Sequence, residues 1–134
     1  MRGFEIIAEG GTMPVRGTVK SAGYDFCARE DCIIPGRGTG LVRTGVTAFM
    51  AADEWLMLKA RSSLALKKHL IAGAGVVDAD YYPNEIGFVI HNHSDEDYLV
   101  KAGGRIGQGI FVKYLLAQGD EAQVTRDGGF GSTD

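Results

Sequence analysis

Hydrophobic and polar residues alternate along several short stretches of the chain, and glycines separate these stretches. The stretch 85–91 (EIGFVIH) places Ile86, Phe88 and Ile90 on one side, which is the two-residue period of a half-buried strand. Comparable runs occupy 4–8, 23–28, 41–50, 55–60 and 105–114. Short runs broken by Gly, Pro and Asp predict an all-β barrel or sandwich.

One segment departs from this alternation. Residues 62–70 (SSLALKKHL) contain good helix formers, and two serines that could act as N-caps stand at the start. The sequence therefore predicts one short helix. After Gln123 too few apolar side chains remain to order the chain, so we expect a single β-barrel domain at 1–125 followed by a flexible C-terminal segment at 126–134.

Composition narrows the class of protein. The 134 residues, 45% of them hydrophobic, suffice for one domain with its own core. The net charge is −3, and the densest basic run is Lys67-Lys68-His69, so we expect no nucleic acid partner. No apolar run approaches the roughly 18 residues of a membrane span. Two cysteines, Cys27 and Cys32, make no disulfide framework, which predicts a cytoplasmic protein whose thiols act as small apolar fillers.

Two segments carry groups suited to chemistry. In ARSSLA (60–65) the guanidinium of Arg61 and the hydroxyls of Ser62 and Ser63 could hold a phosphate, or the serines could simply cap the helix. In GAGVVDADYYPNE (73–85) Asp78 precedes Asp80 by two residues, so on a strand both carboxylates would share a face. A partly buried carboxylate there could deprotonate a water, although aspartates in a hairpin turn are the alternative interpretation.

Other candidates are weaker when each is taken alone. Asp25 lies inside the strand-like run SAGYDFCA, where it either meets a cation or faces solvent. The tail RDGGFGSTD offers the guanidinium of Arg126 for phosphate and the ring of Phe130 for stacking. His91 and His93 would share a strand face, but two ligands without a third make a poor metal site.

The order of these segments is more specific than any one of them. AGYDFCA, RSSLA, GVVDADY, RIGQGIF and GGFGST follow one another between Ser21 and Thr133. This resembles the five motifs of the trimeric dUTPase family. The resemblance implies a jelly-roll-like distorted β-barrel with one short helix, assembled as a homotrimer in which each active site draws on all three chains.

The resemblance also implies roles for single residues. Asp78 would be the general base, and Arg126 would stabilise charge during catalysis. Asp25 would hold Mg²⁺ indirectly, through water. The substrate-binding set that it implies is Arg61, Ser62, Ser63, Ala72, Gly75, Val76, Val77, Tyr81, Gln108, Phe130, Gly131, Ser132 and Thr133. In this scheme a hairpin at about 72–77 reads the uracil edge, Tyr81 packs under the deoxyribose, and the tail closes as a lid.

The implied reaction is the hydrolysis of dUTP to dUMP and pyrophosphate, which limits uracil in DNA and supplies dUMP for dTMP synthesis. Two alternatives stay open. A dCTP deaminase would need a glutamate, and Glu85 is the one near the third motif. A nucleotide-gated regulatory protein with a protein partner is suggested by two departures from the family pattern: Arg126 lies only four residues before Phe130, and the segment DYYPNE contains an extra residue.

Overall fold

The described part of the chain is built almost entirely from β-strands. The computed structural model describes residues 1–123, and in them twelve strands accompany one α-helix. The strands are β1 (Gly3–Ile6), β2 (Val15–Arg16), β3 (Tyr24–Cys27), β4 (Cys32–Ile34), β5 (Thr39–Arg43), β6 (Val46–Phe49), β7 (Glu54–Ala60), β8 (Leu70–Gly73), β9 (Val76–Asp78), β10 (Gly87–Asn92), β11 (Tyr98–Val100) and β12 (Arg105–Lys113). The helix α1 spans Ser62–Lys68, and a 3₁₀ turn spans Ala79–Tyr81. The all-β class with one short helix is thus confirmed.

The strands pair in an order that differs from their order in the sequence. The largest sheet has the order β2-β3-β12-β7-β9, and a second sheet has the order β5-β10-β8. The pairs β1-β6 and β4-β11 are also antiparallel. Strands far apart in the sequence are therefore neighbours, as in jelly-roll barrels.

The large sheet turns one face to the core and the other outward. In β7, Leu56 and Leu58 are buried, whereas Trp55, Met57 and Lys59 point to the opposite side. The core joins the two larger sheets through contacts such as the ring pair of Phe26 and Phe88. Its other fully buried large side chains include Ile34, Leu56, Leu70, Ile86, Ile90 and Ile106. The sheet leaves an outer face on which both polar and apolar side chains are available.

The run at 41–50, predicted as one stretch, is divided between two strands. β5 ends at Arg43 and β6 begins at Val46, because Gly45 adopts a positive φ of 69° between them. The hydroxyl of Thr44 donates to the carbonyl of Ile86 at 2.6 Å, which fixes the bend. The break lets the chain leave the sheet of β10 and pair with β1 instead.

The short helix begins without a serine cap. Arg61 occupies the N-cap position with φ −67° and ψ 139°, and no side chain caps the helix. The interpretation of Ser62 and Ser63 as caps is therefore wrong, because both serines already lie in the first turn. The helix ends at Lys68, since His69 is left-handed with φ 59°. Nowhere in residues 1–123 is a helix long and apolar enough to cross a membrane.

Candidate active site

Asp78 lies at the end of β9, on the edge of the largest sheet. It stands opposite Trp55 of β7 in the strand register, and it is half-buried. Trp55, Val76, Asp78 and Tyr114 line an open pocket of about 290 Å³. A carboxylate in the wall of such a pocket has room beside it for a water molecule and can act on that water as a base.

The second aspartate of the motif does not share the strand face. β9 ends at Asp78, and Asp80 lies in the following 3₁₀ turn, where the alternation of a strand no longer applies. The condition for a shared face, that both aspartates lie on one strand, is therefore not met. The two residues also differ in burial, since Asp78 is half-buried and Asp80 is exposed.

Tyr81 is fixed by the turn that follows Asp78. Its phenolic O–H donates to the carbonyl of Glu85, and Asn84 Nδ2 donates to the carbonyl of Tyr81 at 2.8 Å. The ring is partly buried against the hydrophobic core. These contacts hold the ring in one position, as a surface that packs against a sugar requires.

The segment Ala72–Val77 joins two sheet edges. β8 pairs with β10 and β9 pairs with β7, and in residues 1–123 β8 and β9 do not pair with each other. The predicted hairpin is therefore a turn between two sheets, in which Ala74 and Gly75 have positive φ values of 53° and 100°. Edge strands leave backbone N–H and C=O groups unpaired. Those groups, on a segment that includes Val76, are available to bind the edge of a nucleobase.

Arg61, Ser62 and Ser63 come together where β7 passes into α1. Arg61 and Ser63 are partly exposed and Ser62 is exposed. The guanidinium of Arg61 forms no ion pair with any residue in the described part of the chain. Guanidinium and hydroxyl groups that are not used internally are suitable donors for phosphate oxygens.

Asp25 and Gln108 lie beside this corner on neighbouring strands. They face each other in the register of β3 and β12. A Cβ at Gly23 would overlap the amide oxygen of Gln108, so this glycine makes room for the glutamine side chain. Asp25 Oδ2 lies 3.6 Å from a terminal nitrogen of Arg105. Arg105 had no predicted role, although the fourth motif, RIGQGIF, begins with it.

Cys27 belongs to the same corner. Burial raises the pKa of its thiol above the ordinary value of 9.0, and the charges of Arg105, Asp25 and Arg61 also act on it. Burial likewise raises the pKa of Cys32. Both thiols are therefore protonated near neutral pH, which agrees with their interpretation as fillers rather than nucleophiles.

Asp78 and Arg61 lie at opposite ends of β7 within one copy of the chain. Asp78 is level with Trp55, whereas Arg61 follows the last residue of the strand. Six residues of extended chain separate these levels, which at roughly 3.3 Å per residue is about 20 Å. A single copy therefore does not bring the carboxylate of Asp78 to the corner formed by Arg61, Ser62 and Ser63.

Several candidate residues from the sequence form hydrogen bonds away from Asp78 and Arg61, or lie outside the described residues. Glu85, on which the deaminase alternative depended, accepts hydrogen bonds from Arg29 Nε and Gly45 N–H, each at 2.8 Å. His91 Nδ1 lies 2.8 Å from the hydroxyl of Thr39. No group of three possible metal ligands occurs in residues 1–123. The roles predicted for five tail residues lie outside the described residues and stay predictions: Arg126, Phe130, Gly131, Ser132 and Thr133.

Comparison with known proteins identifies the family. The family model described as dUTPase matches residues 9–134. The deoxyuridine 5'-triphosphate nucleotidohydrolase of Eremothecium gossypii is 40% identical over 139 residues, which cover 96% of this chain and 88% of that protein. The dUTPase structure from Streptococcus mutans is 38% identical with a TM-score of 0.81, over 87% of this chain and 99% of that chain. The dUTPase of phage phi11 of S. aureus, which coordinates a structural Mg(II) ion, shares the fold at 19% identity and a TM-score of 0.81, over 92% of this chain and 97% of that chain.

The fold and the site together define a class of protein: an antiparallel β-barrel with a carboxylate at one sheet edge and exposed guanidinium and hydroxyl groups at the far end of the same sheet. Within that class the chain belongs to the dUTPase family. The family resemblance seen in the sequence motifs is thereby confirmed.

Proposed function

We propose that the protein hydrolyses dUTP to dUMP and pyrophosphate. The observation that carries this proposal is the position of Asp78, half-buried at a sheet edge in the wall of an open pocket. Asp78 accepts a proton from a water molecule, and the resulting hydroxide attacks the α-phosphorus. The bond from that phosphorus to the bridging oxygen breaks, and pyrophosphate leaves with the electron pair. Positioning of the water and stabilisation of charge account for the rate.

The base and the sugar are selected near Asp78. The backbone of Ala72–Val77 offers unpaired groups to the uracil edge, because each strand of this turn is the edge of its own sheet. Tyr81 packs against the deoxyribose. The ring is held in place because its hydroxyl donates to the carbonyl of Glu85 and Asn84 donates to the carbonyl of Tyr81. A ribose would place its 2′-hydroxyl against this fixed ring.

The phosphates bind at the other end of the sheet. Arg61, Ser62 and Ser63 supply donors. Gln108 lies beside them on the neighbouring strand β12, where it stands opposite Lys59 of β7. Asp25 fits a role in binding Mg²⁺ through water, because Mg²⁺ keeps several waters and uses one or two carboxylates together with substrate phosphates. When bound, the ion would draw charge from the triphosphate.

A complete site requires more than one copy of the chain. Asp78 and Arg61 are about 20 Å apart in one copy by the rise of β7. We infer a homotrimer in which one copy supplies Asp78 and another supplies Arg61. The middle of the outer sheet face supports this inference, because it is apolar: Trp55, Met57, Val76, Ile110 and Val112.

The test is pyrophosphate release from dUTP, dTTP, dCTP and UTP by the purified protein with Mg²⁺. We expect release from dUTP alone. Asp78→Asn keeps the size of the side chain but removes the base, so turnover should fall by roughly 100-fold or more, the usual contribution of a general base. An equally active Asp78→Asn variant with the native circular dichroism spectrum would show that Asp78 is not the base.

A further inference from the structure

Three side chains form a row across neighbouring strands of the largest sheet. Lys59 of β7 stands directly opposite Gln108 of β12, and Gln108 stands directly opposite Asp25 of β3. Directly opposed residues in an antiparallel sheet point to the same face, with their Cβ atoms about 4.5–5.5 Å apart. Lys59 therefore projects from the same face as the two residues placed at the phosphate-binding corner.

Lys59 also shares this face with Arg61. The backbone of Arg61 is extended, with φ −67° and ψ 139°, so the alternation of β7 continues beyond its last residue. Residues two apart on an extended chain point to the same side and lie about 7 Å apart. Lys59 is thus flanked by Gln108 across the sheet and by Arg61 along the strand.

The ammonium group of Lys59 is not neutralised by its neighbours. The residue is exposed, and it forms no ion pair within the part of the chain that the structure describes. The nearby carboxylate of Asp25 instead lies 3.6 Å from Arg105. The corner therefore holds three cations, Lys59, Arg61 and Arg105, and one carboxylate. An excess of positive charge on adjacent strands favours a polyanionic ligand.

We propose that Lys59 is a further phosphate-binding residue, which contacts the β- or γ-phosphate of the nucleotide. This inference rests on the proposed function, because it places the triphosphate at the same corner. Lys59 is a flexible point charge rather than a rigid fork. Because dUMP lacks the β- and γ-phosphates, this contact favours the triphosphate substrate over the monophosphate product.

The decisive measurement is nucleotide binding by calorimetry, with a non-hydrolysable α,β-imido analogue of dUTP and with dUMP as probes. We expect Lys59→Gln to weaken binding of the imido analogue by roughly 10-fold, the usual effect of losing one charge-assisted contact. Binding of dUMP should change less than about twofold by the same reasoning. Lys59→Arg keeps the charge and should restore most of the affinity for the analogue.

The matched control is Lys113→Gln. Lys113 ends β12 at the opposite end of the same sheet, where it pairs with Asp53 at 3.5 Å. The Lys113→Gln variant should bind both probes with the same affinity as the wild-type protein. If the wild-type protein binds the analogue and Lys59→Gln binds it equally well, the inference about Lys59 is wrong while the proposed function stands. If the wild-type protein does not bind the analogue, both are overturned.

Discussion

Gly75 sets the path of the chain at the proposed uracil site. Its φ of 100° lies in a region that residues with a side chain rarely adopt, and its carbonyl accepts a hydrogen bond from Leu58 N–H at 2.8 Å. A Cβ at this position would lie 2.8 Å from the carbonyl oxygen of Leu58. The backbone conformation and the close approach to β7 therefore both require glycine.

We predict that Gly75→Ala impairs recognition of dUTP more than it impairs folding. The added methyl group pushes the turn away from β7 and moves the backbone groups that face the base. We expect the KM for dUTP to rise by about 10-fold or more, with a loss of stability of about 1–3 kcal/mol. Steady-state kinetics and thermal melting measure the two effects separately.

Gly103→Ala is the matched control for this prediction. Gly103 also has a positive φ, of 82°, but a Cβ there would meet nothing within 4 Å. It should therefore carry only the backbone cost of about 1–2 kcal/mol and leave the KM unchanged. If the two variants had the same KM, the close contact at Gly75 would have no part in substrate binding.

At the scale of elements, Glu54 ties the start of β7 to the N-terminus. Its buried carboxylate accepts hydrogen bonds from Arg2 Nε at 2.9 Å and from Ala51 N–H at 3.0 Å. The hydrogen bond from Arg2 and then the one from Ala51 lower the pKa of Glu54 from 4.5 to about 2. β7 is the strand that separates the two ends of the proposed site.

We predict a loss of stability in acid that depends on this pair. Because the folded-state pKa lies below the ordinary value, the contribution of Glu54 is complete above pH 4.5 and is lost as the pH falls towards 2. Arg2→Met should make the melting temperature lower at neutral pH and less sensitive to pH over this window. Thermal melts in a pH series test this.

Arg37→Met serves as the comparison for the acid prediction. Arg37 and Asp95 form an ion pair at 2.7 Å, but both side chains are largely exposed. Exposed pairs contribute little to stability, so the melting curve of this variant should follow that of the wild type. An unchanged pH dependence in Arg2→Met would contradict the assignment of acid sensitivity to Glu54.

The elements also show what the sequence could predict. The alternation in β7, β10 and β12 was readable because one face of each strand is buried. The end of α1 could not be predicted, because His69 adopts a left-handed conformation that is usually marked by a glycine. The separation of β8 from β9 was also hidden, since each pairs with a strand distant in the sequence. A local pattern indicates which side chains are buried, whereas the partner of each strand depends on contacts across the whole sheet.

The candidate site was predicted by residue type and order rather than by geometry. Motif order singled out Asp25, Arg61, Asp78 and Gln108, but no local pattern in the sequence placed Asp78 and Arg61 at opposite ends of β7. Lys59 was recognised only as part of an alternating strand. Its position opposite Gln108 depends on the register of β7 and β12, which the sequence does not reveal.

At the scale of the whole molecule, the shared site makes a quantitative prediction about mixed assemblies. Asp78→Ala and Arg61→Ala should each be inactive alone. In a random equal mixture, a site that takes Asp78 from one copy and Arg61 from another receives both native residues in about one quarter of cases. About one quarter of the wild-type activity should therefore return.

The two variants are unfolded together, refolded and assayed, and each variant refolded alone is the control. If each site were built within one chain, mixing would restore nothing. Recovery would therefore show that the 20 Å gap along β7, estimated from its rise per residue, is closed by a neighbouring copy.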